Sequence, residues 1–295
     1  MPTRNADPGR RVSLRRHSLS WAWGPPQAWA TLRGGGPAVD SRSRGFALAL
    51  STPMALFSKR KTERGLEPPV PDEDVHLPIG GEELVVVSSP RCAQTEQYRR
   101  LANSVDALNP DGAPRTLLLT SALPNEGKTT AAINLGLALC ERPHMRAVLI
   151  DADLRRPSLE ASLGLPRRQG FTELLQGKLT LDESLRKTSV DGLYVIGAGE
   201  APENPSKLLR IDRVKSLLFG LKQRFDYVLL DAPPAHAVNE PHLMGAATDG
   251  VLLVVRLTQT PKHLVAQTSA QLEAMGGNLL GMCLVGAKGG ADFEY

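Results

Sequence analysis

Six short apolar runs recur between residues 116 and 284, and most of them show no alternation of polar and apolar residues. They cover residues 116–120, 147–150, 193–196, 227–230, 251–255 and 280–284. A strand covered by helices on both faces has this pattern, and the segments between the runs have helical spacing. The sequence therefore predicts an α/β fold with a doubly wound, mostly parallel sheet, whose ligands bind at the carboxyl ends of the strands.

Residues 1–80 differ in composition from the rest of the chain. Residues 1–65 hold twelve Lys and Arg against three Asp and Glu, which leaves 23 basic and 28 acidic residues elsewhere. The basic pI near 9.0 therefore does not indicate a nucleic-acid-binding domain. We predict a disordered basic N-terminus and linker over 1–80 and one domain over 81–286. A short strand is expected over 83–87 and a helix with an apolar stripe over 94–108. Residues 1–53 are either a basic tail that touches anionic lipid or sequence upstream of a true start at Met54.

Targeting signals are weak. The apolar run 46–57 is interrupted by Pro53, and Ser58-Lys-Arg-Lys follows where small cleavage-site residues belong. No run reaches the ~18–20 apolar residues that a membrane span needs. Three widely spaced cysteines are typical of buried thiols in a reducing compartment. We expect a cytoplasmic protein whose attachment to a membrane would need a partner.

A phosphate-binding loop is predicted after the first apolar run, in Ser121-Ala-Leu-Pro-Asn-Glu-Gly127-Lys128-Thr129-Thr130. Backbone N–H groups and a helix N-terminus would face the anion, Lys128 would neutralise the β- and γ-phosphates, and Thr129 would bind Mg²⁺. Ala122 stands where the usual pattern has its first glycine. The candidate nucleotide-binding residues are Pro124, Asn125, Glu126, Gly127, Lys128, Thr129, Thr130 and Asp231.

Carboxylates follow two further runs. Asp151 and Asp153 come after the second run, and Asp231-Ala-Pro-Pro after the fourth has the Walker B form. We expect them near the phosphate loop, where Asp231 would orient a Mg²⁺-bound water. In the alternative interpretation, Asp151 and Asp153 cap the following helix or pair with Arg155.

Several motifs occur together in residues 88–286, about two thirds of the chain. They are Glu96-Gln-Tyr-Arg99, Glu126-Gly-Lys-Thr-Thr130, Asp151-Ala-Asp-Leu-Arg-Arg-Pro157, Gly197-Ala-Gly199, Pro202-Glu-Asn-Pro205 and Asp231-Ala-Pro-Pro234. In this combination the segment resembles the bacterial tyrosine kinases of capsular and exopolysaccharide systems, within the wider group of MinD and ParA P-loop ATPases.

The resemblance implies an ATP-dependent protein-tyrosine kinase. Lys128, Asp151 and Asp153 would be its catalytic residues, with Asp153 as the base for a tyrosine hydroxyl. Thr129, Asp151 and Asp231 would hold Mg²⁺. The resemblance further implies a ring-like homo-oligomer, a Wzz-like membrane polysaccharide co-polymerase as activator, and a cognate tyrosine phosphatase.

Three features depart from the family pattern. Ala102 stands where a second arginine of the helix motif is expected, and Val285 stands where an asparagine helps to hold adenine. The tail, 287–295, ends in a single tyrosine instead of a cluster, so Tyr295 is the candidate phosphoacceptor. A frayed chain end is the alternative interpretation of Tyr295.

Two other functions share the nucleotide site. The presence of one tyrosine in 287–295 is consistent with a regulatory or scaffolding ATPase of the polysaccharide complex that has no kinase output. A positioning ATPase of the MinD and ParA type is less consistent, because Leu123 occupies the place of that group's extra loop lysine.

Overall fold

A computed structural model describes residues 18–22 and 81–287 of the 295-residue chain. The strands in these ranges are β1 (Ser18–Ala22), β2 (Arg115–Ser121), β3 (Ala147–Asp151), β4 (Arg186–Lys187), β5 (Leu193–Ile196), β6 (Tyr227–Asp231), β7 (Gly250–Arg256) and β8 (Leu279–Ala287). The helices are α1 (Val85–Ser88), α2 (Ala93–Ala107), α3 (Lys128–Cys140), α4 (Leu159–Ser162), α5 (Phe171–Gln176), α6 (Leu181–Ser184), α7 (Pro205–Leu208), α8 (Ile211–Lys222), α9 (Glu240–Gly245) and α10 (Lys262–Ala274).

The described strands form one sheet in the order β1-β8-β7-β2-β6-β3-β5-β4. Every neighbouring pair from β8 to β5 is parallel, whereas β1 and β4 pair antiparallel at the two edges. The chain runs from β2 outward to β3 and β5, returns to β6 between β2 and β3, and then crosses to β7 and β8 on the other side of β2. The predicted doubly wound, mostly parallel sheet is confirmed.

Helices cover both faces of the sheet. One apolar core lies under α2 and α3, and the second includes residues of α5, α8, α9 and α10. The central strands are buried on both faces, which explains their unalternating sequences. None of the helices in the described ranges is both long and apolar enough to cross a bilayer.

All six predicted strands are present, and the helix predicted over 94–108 is α2, displaced by one residue. The strand predicted over 83–87 is wrong, because that segment contains the single helical turn α1. The backbone N–H of Ser88 donates to the carbonyl of Leu84, and Val86 N donates to Asn134 Oδ1. The backbone N–H groups of this segment are therefore bonded within α1 and to a side chain of α3, and the segment does not join the sheet.

Two short strands were not predicted. β4 is only two residues long, too short to give a sequence pattern. β1 lies within the 1–80 segment for which the sequence predicted disorder, and its backbone pairs with β8. The rest of that segment lies outside the described residues, and its proposed boundaries stay predictions.

We expect Leu118→Ala to lower the free energy of unfolding by about 2–5 kcal/mol, because the side chain lies at 0% exposure in the centre of the sheet. Leu108→Ala is the matched control, since Leu108 is 43% exposed and its truncation should cost well under half of that. Urea unfolding measures both. Equal losses in the two variants would contradict the assignment of Leu118 to the core.

Candidate active site

The sheet register brings the predicted carboxylates to one edge. Asp151 on β3 lies opposite Asp231 on β6, and Asp231 lies opposite Leu119 on β2. The loop after β2 leads directly into α3, which begins at Lys128. The loop, the start of α3 and both carboxylates therefore surround one space at the carboxyl ends of three adjacent strands.

The phosphate loop has two residues in the left-handed region, Asn125 (φ 61°) and Gly127 (φ 86°). Ala122 is fully buried and has no left-handed φ, so an alanine fits where the usual pattern has glycine. No side chain in the described ranges caps the N-terminus of α3. Its first N–H groups and the helix dipole remain available to an anion.

Thr129 lies at the centre of the site. Its hydroxyl donates to Asp231 Oδ2 at 2.5 Å and lies 2.8 Å from the hydroxyl of Ser158. The other oxygen of Asp231, Oδ1, is buried and has no hydrogen-bond partner in the described part of the chain. A buried, uncompensated carboxylate oxygen beside a hydroxyl fits a bound cation.

Asp151 is also held by backbone groups. Its Oδ2 accepts from the N–H groups of Ser158 and Leu159 at 3.0 and 2.9 Å, and its Oδ1 accepts from Asp153 N at 3.2 Å. The capping interaction considered from the sequence is therefore present. It does not exclude metal binding, because Oδ1 accepts a single hydrogen bond and keeps a second lone pair.

Asp153 lies at the mouth of the site with 8% exposure. Its Oδ1 accepts from the backbone N–H of Arg156 at 3.0 Å. The suggested pairing with Arg155 does not occur, since that guanidinium donates to Glu240 Oε1 at 2.7 Å. The carboxylate of Asp153 is thus left beside the positive charge of Lys128.

The crowded carboxylates hold protons more tightly than isolated ones. Burial raises the pKa of Asp151 to about 8, and the charge of Asp231 adds to the rise. Burial raises the pKa of Asp231 to about 6, against the hydrogen bond from Thr129 and the charge of Lys128. Burial also raises the pKa of Asp153. A divalent cation bound here would displace these protons.

Magnesium suits this donor set, because it is bound by one or two carboxylates and completes its shell with water and phosphate oxygens. The candidate ligands Thr129, Asp151 and Asp231 are one hydroxyl and two carboxylates, consistent with that chemistry. Within the ranges that the structure describes, no three His, Cys, Asp or Glu side chains form a metal-binding group by themselves.

Some contacts in the site were missed from the sequence. Ser158 contacts Thr129, and buried Glu240 binds both Arg155 and the hydroxyl of Ser206. Neither has a sequence signal, because the partners are far apart in the chain. Tyr295, the candidate acceptor, lies outside the described residues.

The helix motif of α2 makes contacts within the chain. Arg99 donates through Nε and Nη2 to both carboxylate oxygens of Glu141 at 2.7 Å, and through Nη1 to Glu96 at 3.4 Å. Ala102, where a second arginine was expected, is buried in the core.

The uncapped start of α3, its lysine and threonine, and a strand-end aspartate bonded to that threonine define a P-loop nucleotide-binding protein. No protein-family profile matches the chain. Tyrosine-protein kinase YwqD of Bacillus subtilis is 30% identical over 212 residues, which are 72% of this chain and 89% of that protein. This chain belongs to the bacterial tyrosine-protein kinase family.

Solved structures agree with this assignment. The kinase domain of the Escherichia coli tyrosine kinase ETK has a TM-score of 0.66 and 27% identity, covering 80% of this chain and 89% of that one. MinD from Pyrococcus horikoshii, complexed with Mg-ADP, has a TM-score of 0.50 at 20% identity over 57% of this chain and 69% of its own, and shows the shared P-loop fold alone.

We expect the free energy of unfolding, measured without Mg²⁺ or nucleotide, to fall as the pH rises from about 5 to about 8. The pKa of Asp151 in the folded protein, about 8, lies above the 3.8 of the unfolded chain, so the folded protein binds the extra proton. That stabilisation is fully present below the unfolded pKa and is lost as pH rises through the folded one. Asp151→Asn should flatten the slope in urea unfolding.

Asp249→Asn is the matched control. Burial by itself would raise the pKa of Asp249, but hydrogen bonds from Lys222 and Thr116 outweigh it and hold that pKa below its usual value. Its stabilisation is lost only as pH falls into the acid range, so this variant should leave the slope between about pH 5 and 8 unchanged. The same slope in Asp151→Asn as in the wild type would show that Asp151 is not the group responsible.

Proposed function

We propose that this chain transfers the γ-phosphoryl group of ATP to a tyrosine hydroxyl. The observation that carries the proposal is the Thr129 hydroxyl bonded to Asp231 Oδ2 at the first turn of α3, beside Lys128. Phosphoryl transfer of this type depends on positioning and charge neutralisation, which a loop, a lysine and a carboxylate-held cation supply.

Each residue has a proposed role. The N-terminus of α3 and the loop residues 124–130 bind the phosphates, with Lys128 neutralising the β- and γ-groups. Thr129, Asp151 and Asp231 would hold Mg²⁺, which when bound neutralises the charge on the phosphate oxygens.

Asp153 is the proposed base. The bond between the γ-phosphorus and its bridging oxygen breaks, a bond forms from that phosphorus to the tyrosine oxygen, and the tyrosine proton passes to Asp153. Burial raises the pKa of this carboxylate, which makes it a better proton acceptor than an exposed aspartate.

Tyr295 is the proposed acceptor. The segment 287–295 holds nine residues, and an extended segment of that length spans about 30 Å. This is enough to reach the site of the same chain or that of a neighbour. The adjacent Asp292 and Glu294 give it an acidic context.

The motif resemblance supports the wider setting that we propose. The kinase is cytoplasmic and is recruited to the inner face of the plasma membrane by a Wzz-like polysaccharide co-polymerase that activates it. The kinase forms a homo-oligomer, and a cognate tyrosine phosphatase removes the phosphate from its tyrosine. Its phosphorylation regulates capsular or exopolysaccharide export.

The second candidate is a scaffolding ATPase of the same complex that hydrolyses ATP without phosphorylating tyrosine. The single tyrosine of the tail favours it. A positioning ATPase of the MinD and ParA type is the third, and Leu123 in the phosphate loop argues against it.

The test co-expresses the full chain with the cytoplasmic tail of a co-polymerase, adds ATP and Mg²⁺, and probes phosphotyrosine. We expect signal in the wild type and its loss in Lys128→Ala, because phosphate neutralisation is removed. Tyr295→Phe should also lose the signal while ATP hydrolysis persists.

Two control variants sharpen this test. Lys262→Ala removes an exposed lysine at the start of α10, and Tyr98→Phe changes a buried tyrosine of α2, so both should keep the signal. ATP hydrolysis without phosphotyrosine in the wild type would favour the scaffolding ATPase. Signal that persists in Tyr295→Phe would place the acceptor elsewhere.

A further inference from the structure

Glu126 is a buried acidic residue inside the phosphate loop. Its side chain is only 2% exposed. Oε2 accepts from the backbone N–H of Leu123 at 2.9 Å, and Oε1 accepts a short hydrogen bond from the hydroxyl of Thr260. Both carboxylate oxygens therefore have donors, one inside the loop and one from a distant segment.

A negative charge in this position opposes phosphate binding, because it lies beneath a loop whose N–H groups should attract an anion. A role in fixing the shape of the loop would explain why an acidic residue occurs here. The bond from Leu123 to Glu126 closes a loop of four residues and encloses Asn125, whose φ of 61° is uncommon for a residue other than glycine. The carboxylate thus holds the loop in a shape that its backbone alone would not favour.

Thr260 comes from the turn after β7, and that turn has a defined shape of its own. Thr260 N donates to the carbonyl of Arg256 at 3.0 Å, and Arg256 N donates back to Thr260 Oγ1 at 3.2 Å. Thr258 between them has a left-handed φ of 66°. Leu257 N donates to the carbonyl of Val285 at 2.8 Å, which fixes the turn to β8.

The same turn makes a second contact with the loop. Arg256 Nη1 donates to the carbonyl of Asn125 at 3.2 Å. Two side chains of the turn thus bind two successive residues of the phosphate loop. Their closeness follows from the sheet, because β2 and β7 are parallel neighbours with Ser121 opposite Val254.

We propose that Thr260 is a positioning residue for the phosphate loop and acts through Glu126. The hydroxyl of Thr260 fixes the carboxylate, the carboxylate fixes Leu123 and the turn of the loop, and the loop then presents its N–H groups to the nucleotide phosphates. This inference rests on the proposed nucleotide site and adds a residue that lies outside the phosphate loop.

The test measures binding of a fluorescent ATP analogue with Mg²⁺ to the full chain. We expect Thr260→Val to weaken affinity about tenfold, because the buried carboxylate loses a donor that valine cannot replace. Thr260→Ser keeps the hydroxyl and should stay within about twofold of the wild type.

Thr268→Val is the matched control. Thr268 lies in α10 at 0% exposure, and its Oγ1 has no hydrogen-bond partner among the described residues. The same substitution there should leave nucleotide affinity unchanged. Thermal unfolding without nucleotide shows whether each variant is folded.

Glu126→Asp is a second, independent variant. It keeps the negative charge but is shorter by one methylene group, so its carboxylate no longer reaches the positions from which Leu123 N–H and the Thr260 hydroxyl are bound. Affinity should fall in this variant also, even if Thr260→Val does not fold.

The outcomes separate this inference from the proposed function. Wild-type affinity in Thr260→Val or in Glu126→Asp would overturn the positioning role while leaving the kinase proposal intact. An equal loss in Thr260→Ser or Thr268→Val would also overturn it, because general packing would then be the cause. Failure of the wild-type chain to bind the analogue would overturn the nucleotide site itself, and with it this inference.

Discussion

The pairing register of β3 and β6 places Asp151 beside Asp231, and the rest of the site is arranged around that pair. Backbone hydrogen bonds set it, including the bond from Ala152 N to the carbonyl of Asp231 at 2.8 Å. A slip of one residue would turn either side chain to the opposite face of the sheet. β2 pairs with β6 in the same sheet, so the loop that follows β2 and the start of α3 lie beside the two carboxylates.

This arrangement gathers negative charge in a buried space. Three features reduce the free-energy cost of burying this charge. They are the charge of Lys128, the N-terminus of α3 and the backbone N–H groups that bind Asp151. The remaining cost of burying this charge raises the pKa of Asp151 to about 8 and that of Asp231 to about 6. Under the proposed function, binding of Mg²⁺ and nucleotide would displace the proton that Asp151 holds at neutral pH.

The sequence predicted the sheet because each central strand is buried on both faces and reads as a short apolar run. It predicted the meeting of Lys128 and Asp231 because parallel strands share a carboxyl edge. It could not predict α1, where β-branched residues in 83–87 favour a strand but a hydrogen bond from Val86 N to Asn134 Oδ1 holds the segment against α3. It also missed the contacts of Ser158 and Thr260, because each depends on how a loop crosses above the sheet and neither has a local pattern.

The two-residue strand β4 has a consequence for how copies of the chain can associate. It pairs antiparallel with β5 at one edge of the sheet and offers only a few backbone groups to an incoming strand. Short edge strands of this kind discourage the growth of one sheet into the next, which is a route to aggregation. At this edge, contacts between chains would have to form through side chains, where charge and shape can select the partner.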